Sequence, residues 1–329
     1  MEIIFLGTSS GVPTKSRNIS GIAIKRQRSK AWYLIDCGEG TQHQLLQVSN
    51  LSLNHLTAIC ITHVHGDHCY GLPGLLASAA MSGRTKPLTI IAPHAIKDML
   101  ESIRTLTQMR LSYDIHFMLI EDLNDTIEMD DFNIEVAELT HRVPSYAFTF
   151  IERKLTRKLD IEKLNAHGIK SGPVWGQLQR GEDIQLSDGE ILFSNDYLLN
   201  DRRPRKIIVS GDNDSPWHLK SCAHEADVLI HESTYTEDIA KKVGNAPQHT
   251  SAKQVAQFAE ELSIDYLILT HFSPRYKDSN LSSPCISDIE HEASNFYHGN
   301  LFLAKDFDVY QLDQKGELKR IASNSFNPD

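Results

Sequence analysis

No stretch of this 329-residue chain is both apolar and long enough to cross a bilayer, so a helical membrane protein is excluded. The opening residues, Met1 to Leu6, carry no basic segment, apolar core or cleavage site of a secretory leader. Cysteine is scarce. Cys37, Cys60, Cys69, Cys222 and Cys285 are an odd number with no CxxC pair, which argues against both a disulfide framework and a cysteine-based zinc finger. Reduced thiols in a cytoplasmic setting are the simpler expectation. Positive charge is in deficit, 33 Lys and Arg against 43 Asp and Glu, a formal net charge of −10. Taken alone, that balance argues against indiscriminate binding to nucleic acid and gives no reason to expect DNA as a partner. Low-complexity tracts and short-period repeats are also missing.

What the chain has is a series of short apolar runs: Ile3–Leu6, Trp32–Ile35, Ala58–Ile61, Leu88–Ile91, Ile134–Val136, Ile207–Val209, Val228–Ile230 and Leu267–Leu269. Between them, Thr41–Gln47, Ala95–Leu106 and Ala252–Leu262 space their apolar residues at helical intervals. Strands alternating with helices predict a layered α/β fold. One region, Glu152 to Arg203, breaks the rhythm. It is polar and carries Gly168, Gly172-Pro173, Gly176 and Gly181, which reads as an inserted arm (152–203) within a single domain spanning 1–329. From Glu152 to Arg180, seven cations (Arg153, Lys154, Arg157, Lys158, Lys163, Lys170, Arg180) outnumber three anions (Glu152, Asp160, Glu162). The arm is thus a basic patch on an acidic protein, which Arg202, Arg203, Arg205 and Lys206 can extend.

The strongest chemical signal is His63-Val64-His65-Gly66-Asp67-His68. In extended backbone, side chains two apart point the same way, so His63 and His65 can grip one ion. Asp67 and His68 follow a turn at Gly66 and can reach a second. A positional signal adds to it. His63, His141, Asp212 and His271 each stand just past the carboxyl end of an apolar run, where α/β sheets collect their ligands. On this reading four strands deliver them to one edge of the sheet. Five imidazoles and two carboxylates without a thiolate suit zinc, and manganese or iron also accept such donors. Seven ligands with one shared Asp suit a pair of ions, which can stabilise both the attacking and the leaving oxygen of a phosphate.

These residues resemble the metallo-β-lactamase superfamily, marked by HxHxDH and distant His, Asp and His ligands. Within it the chain is similar to ribonuclease Z (tRNase Z) of the short form. Phe5-Leu6-Gly7-Thr8-Ser9-Ser10-Gly11-Val12-Pro13, the PxKxRN loop Pro13-Thr14-Lys15-Ser16-Arg17-Asn18, Asp36-Cys37-Gly38-Glu39-Gly40-Thr41-Gln42, Gly71-Leu72-Pro73-Gly74-Leu75-Leu76 and His271-Phe272-Ser273-Pro274-Arg275-Tyr276 carry the likeness. Two departures are Asn213, where the family usually has Thr, and Pro274, where it often has Ser. The resemblance implies an αββα sandwich with an inserted basic arm. It implies two zinc ions per subunit, one held by His63, His65 and His141, the other by Asp67, His68 and His271, with Asp212 bridging. Catalytic roles fall to Asp67 as base, to His249 as proton donor and to Glu232 as its support. RNA contacts fall to Lys15, Arg17, Asn18 and Arg275 and, in the arm, to Arg153, Lys154, Arg157 and Lys158. The implied activity is removal of the 3′ trailer from precursor tRNA, leaving a 3′-hydroxyl, by a cytoplasmic homodimer. Two other readings stay open: a small-molecule metallohydrolase or phosphodiesterase of the same superfamily, and a metal-stabilised RNA-binding protein without catalysis. His231 has the character of a buried, hydrogen-bonded histidine.

Overall fold

The computed structural model describes residues 1–153, 155, 157–186, 189–199, 202–279 and 282–321. Among the described residues no helix is long and apolar enough to cross a membrane. The chain divides into two compact units. One comprises 1–129, 133–151 and the residues from Arg205 onward; the other comprises 130–132 and 152–204.

The first unit is built on two sheets. One has eight strands, in the order Leu318–Ile321, Val309–Leu312, Glu2–Gly7, Gly21–Lys25, Trp32–Ile35, Leu56–Cys60, Leu88–Ala92 and Ile115–Leu119. The other has seven, in the order Asn300–Leu303, Tyr266–Thr270, Val228–Glu232, Lys206–Val209, Ser145–Glu152, Phe132–Leu139 and Ile127–Glu128. The central strands are buried on both faces, so they read as continuous apolar runs rather than alternating ones. Side-chain alternation sorts the two faces. Ile4, Leu6, Leu34, Ile59 and Ile90 pack with Leu72, Leu75, Leu76, Ile96 and Leu100 from the helices Leu72–Met81 and His94–Thr107. Ile208, Leu229, Leu267 and Leu269 do the same with Val255, Phe258 and Ile289 from Ala252–Glu261 and Ile286–Ser294. The alternate residues meet between the sheets. Tyr33 and Phe150 contact edge to face with centroids 6.0 Å apart, and Phe302 and Tyr310 do so at 5.3 Å. The layers run helix, sheet, sheet, helix.

One expectation needs correction. The strands that precede the candidate ligands do not share a sheet. Leu56–Cys60, before His63, lies in the eight-stranded sheet; those before His141, Asp212 and His271 lie in the seven-stranded one. Periodicity identifies strands but carries no information about which sheet each joins.

The second unit has more structure than its polarity suggests. Asp160 caps the helix Ile161–Ala166 through a bond from the Lys163 N–H, and Pro173 opens the helix Pro173–Gln179. Leu164, Ile169, Leu178, Leu192 and Tyr197 form its small core. These apolar residues are too widely spaced to register as a helical stripe.

Candidate metal centre

His63, His65, Asp67, His68, His141, Asp212 and His271 converge. His63 Nε2 and His141 Nε2 each lie 3.1 Å from His65 Nδ1, and Asp212 Oδ2 stands 3.6 Å from His63 and 4.0 Å from His141. Beside them His68 Nε2 and His271 Nε2 are 3.2 Å apart. Asp67 Oδ2 is 3.6 and 3.4 Å from those two nitrogens. Asp212 faces both groups, with Oδ2 3.4 Å from His68 and Oδ1 3.4 Å from His271. Four donors at zinc distances around one centre sit about 3.3 Å apart along tetrahedral edges. The observed spacings match that.

The surrounding hydrogen bonds say which nitrogens offer lone pairs. His68 Nδ1 donates to Asp36 Oδ2 at 2.6 Å. Thr62 donates its hydroxyl to Asp36 and so accepts from His63 Nδ1 at 2.9 Å. Thr234 donates to Glu232 and accepts from His271 Nδ1 at 3.0 Å. His141 Nδ1 donates to the Gln248 carbonyl at 2.9 Å. Each Nδ1 proton is committed elsewhere, so four Nε2 lone pairs point into the shared space. Facing lone pairs repel unless a cation lies between them. Electrostatics agree: burial opposes a charged His68, yet Asp212, Asp36 and Asp67 together raise its pKa well above the ordinary value. Burial also works against ionising Asp212 and Asp67, but the neighbouring histidines hold both carboxyls far below the usual range. The site requires positive charge and offers metal-type donors for it.

Close packing at two glycines permits this convergence. A Cβ on Gly38 would lie 2.4 Å from the Asp67 main-chain oxygen, and one on Gly211 would lie 2.7 Å from the Tyr146 main-chain oxygen. Asp36 and His271 adopt left-handed backbone with φ 58° and 59°, strain that a bonded surrounding sustains.

His249 stands next to the ligands. Its Nδ1 meets Glu232 Oε1 at 3.0 Å and Asp212 Oδ2 at 3.8 Å. Burial lowers the imidazolium's pKa, but the charge and hydrogen bond of Glu232, together with the Asp212 carboxylate, raise the value to about 9. Glu232 itself is oriented by the Asn213 N–H at 2.9 Å and by Thr234. Ser251 starts the following helix through a capping box with Gln254, which fixes the segment carrying His249. His231 is fully buried, bonded to the Glu232 carbonyl and to Asn213, as its position in a strand suggests.

The candidate RNA-contact residues fare differently. Lys15 and Arg275 are exposed, and Arg275 lies 5.7 Å over the Tyr235 ring. Arg17 is buried, with its guanidinium bonded to Asp278, Thr8 and the Ala304 carbonyl. The Asn18 N–H donates to Asp306 Oδ2 at 2.6 Å. In the second unit Lys158 is exposed, Arg153 and Arg157 are half-buried, and Lys154 lies outside the described residues. Arg205 is buried and donates to the Leu312 carbonyl, so it does not extend a basic surface. Sequence reasoning assigned no role to Asp36, Thr62, Thr234 or Gln248. Asp36 was within reach, because it too follows an apolar strand, Trp32–Ile35.

A four-layer sandwich with this donor set at the ends of its strands defines a metal-dependent hydrolase of metallo-β-lactamase fold. Solved structures share the fold: human tRNase Z, short form, aligns over 95% of this chain and 100% of its own at 24% identity with a TM-score of 0.64. The metallo-β-lactamase fold protein YhfI from Bacillus subtilis aligns over 94% and 98% at 18% identity, also at 0.64. Residues 1–167 match the family model of the anti-Pycsar protein Apyc1. That match ends before Asp212, Glu232, His249 and His271. Full-length similarity is to ribonuclease Z chains. That of Marinobacter nauticus is 49% identical over 98% of this chain and 100% of its own, and that of Pseudomonas putida W619 is 46% identical over 98% and 99%. The chain belongs to the ribonuclease Z family.

Proposed function

We propose that this chain is a metal-dependent endoribonuclease that removes 3′ trailers from precursor tRNA and leaves a 3′-hydroxyl on the tRNA. The observation that carries the reading is the His249–Glu232 pair set 3.0 Å apart against a complete ligand group. Binding alone needs no protonated imidazole at that position, whereas releasing a 3′-oxygen does. We assign two zinc ions to the site, one to His63, His65, His141 and Asp212, the other to Asp67, His68, His271 and Asp212. Manganese or iron are substitutes the same donors accept. Such ions, when bound, acidify water and neutralise charge on a phosphate.

Asp67, turned toward the same space, orients the attacking water. His249 delivers the proton to the leaving 3′-oxygen, and Glu232 keeps it charged and aimed. Asp36 holds His68 directly and His63 through Thr62. Exposed Lys15 and Arg275 meet the phosphates beside the scissile bond, and Arg17 and Asn18 hold the Pro13–Asn18 loop in shape through Asp278 and Asp306. The 152–203 arm serves as the tRNA exosite, with Arg153, Lys154, Arg157 and Lys158 among its contacts. Such contacts supply affinity and follow RNA shape rather than base sequence. A homodimer in the cytoplasm completes the proposal, and the free cysteines are in keeping with a reducing compartment.

The test is incubation of the purified protein with a precursor tRNA carrying a 3′ trailer, with and without chelator, and mapping of the cut. A single cut at the tRNA 3′ end that disappears on chelation and returns with zinc supports the proposal. Hydrolysis of small phosphodiesters without cleavage of the RNA would replace it with the small-molecule reading. RNA binding without any hydrolysis would replace it with the non-catalytic one.

A further inference from the structure

Three consecutive residues each hold a different part of the site. The Gln248 carbonyl accepts from His141 Nδ1 at 2.9 Å, His249 pairs with Glu232, and the Thr250 hydroxyl donates to the Asn213 carbonyl at 2.7 Å, next to the ligand Asp212. The His141 and His249 rings lie 5.2 Å apart. Gln248 has φ of 54°, in the left-handed region that residues other than glycine seldom enter. Its N–H donates to the Asn245 carbonyl at 3.1 Å, closing a turn. This backbone state turns the carbonyl toward His141. A left-handed non-glycine residue persists only where its surroundings demand it.

We propose that Gln248 is a positioning residue for the metal centre, acting through its main chain. Its carbonyl fixes the His141 ring with Nε2 toward the ions, and the same turn carries His249. One backbone conformation thus sets a ligand and the proton donor together. The proposal rests on the metal reading above. It makes the Gln248 side chain dispensable and its backbone state indispensable. Glycine adopts positive φ without strain and alanine tolerates it far better than valine, whose branched Cβ disfavours it.

The experiment compares zinc binding by the full chain and by Gln248→Gly, Gln248→Ala and Gln248→Val, by titration against a chromophoric chelator. Gly and Ala variants should bind as the natural chain does. The Val variant should lose about 10-fold or more in affinity at one of the sites, the usual cost of losing a partner behind a metal-bound histidine. Equal affinity in the Val variant overturns the proposal, as does a Gly variant as weak as Val. Should Val fail to give a folded chain, nitrogen-15 NMR of the natural protein decides. His141 must carry its proton on Nδ1, and a proton on Nε2 overturns the assignment. A natural chain that takes up no zinc refutes the metal reading instead, and the His141 tautomer in that metal-free chain still tests Gln248.

Discussion

Replacing Glu232 with Gln keeps the shape of the proton-donor pair and removes its charge. His249 is nearly enclosed, and burial alone would lower its pKa; the Glu232 carboxylate 3.0 Å away, with a smaller contribution from Asp212, lifts it to about 9 against an ordinary 6.5. That difference corresponds to about 3 kcal/mol of preference for the charged ring. In Glu232→Gln the value should fall to the ordinary range or below. A general acid works only when protonated, so the loss appears on the alkaline side. At about pH 8 a donor titrating near 9 is about nine-tenths charged, while one near 6.5 is about 3% charged, so the rate should fall roughly 30-fold there and far less at about pH 6. The assay is single-turnover cleavage of a trailer-bearing precursor tRNA across pH, at saturating protein and zinc. Bound cations shift the alkaline limb in both proteins, so the displacement between the two limbs is the quantity to read. Coincident limbs would refute the assignment of His249 as the acid and Glu232 as its support. The same pair affects stability with a definite sign. A histidine whose folded pKa is raised contributes fully below about 6.5 and loses that contribution as pH rises through about 9. Resistance of the metal-free natural chain to urea should therefore fall over that window, and Glu232→Gln should flatten the dependence.

Substituting Asp212→Ala removes the donor that faces both ligand groups, so zinc content measured by elemental analysis should drop and cleavage should fall by about two to three orders of magnitude, the scale of a lost charge-stabilising group. Gly38→Ala places a Cβ 2.4 Å from the Asp67 main-chain oxygen, and overpacking of that kind should cost about 1–3 kcal/mol in chemical unfolding while displacing Asp67 and His68. Phe150→Ala vacates the contact with Tyr33 between the sheets and should lower unfolding free energy by about 3–5 kcal/mol, with the metal donors intact. Deleting 152–203 should weaken tRNA binding and reduce its salt dependence while hydrolysis of a small phosphodiester survives; equal loss of both would remove the arm from substrate binding.

Much of this protein is legible in its sequence, because the controlling interactions are local or periodic. The strand Trp32–Ile35 and the helix Thr41–Leu46 fall where apolar spacing puts them. The HxHxDH run declares metal chemistry because four ligand side chains within six residues need no folding to be neighbours. His141, Asp212 and His271 are marked by standing at strand ends. What could not be read there is long-range. The tertiary structure decided that His63 arrives from one sheet and the other three from its partner sheet, since pairing of distant strands leaves no periodic trace. It also decided that Arg17 spends its charge on Asp278, some 260 positions away in the chain. Thr62, Thr234 and the Gln248 carbonyl, which with Asp36 commit the Nδ1 protons of His63, His68, His141 and His271, became visible only in three dimensions. The sequence by itself determined which residues can bind an ion and which periodic segments, such as Trp32–Ile35 and Ala252–Glu261, form strands and helices. Only the folded chain decided which nitrogen each histidine presents, because that follows from the hydrogen bond on the far side of each ring.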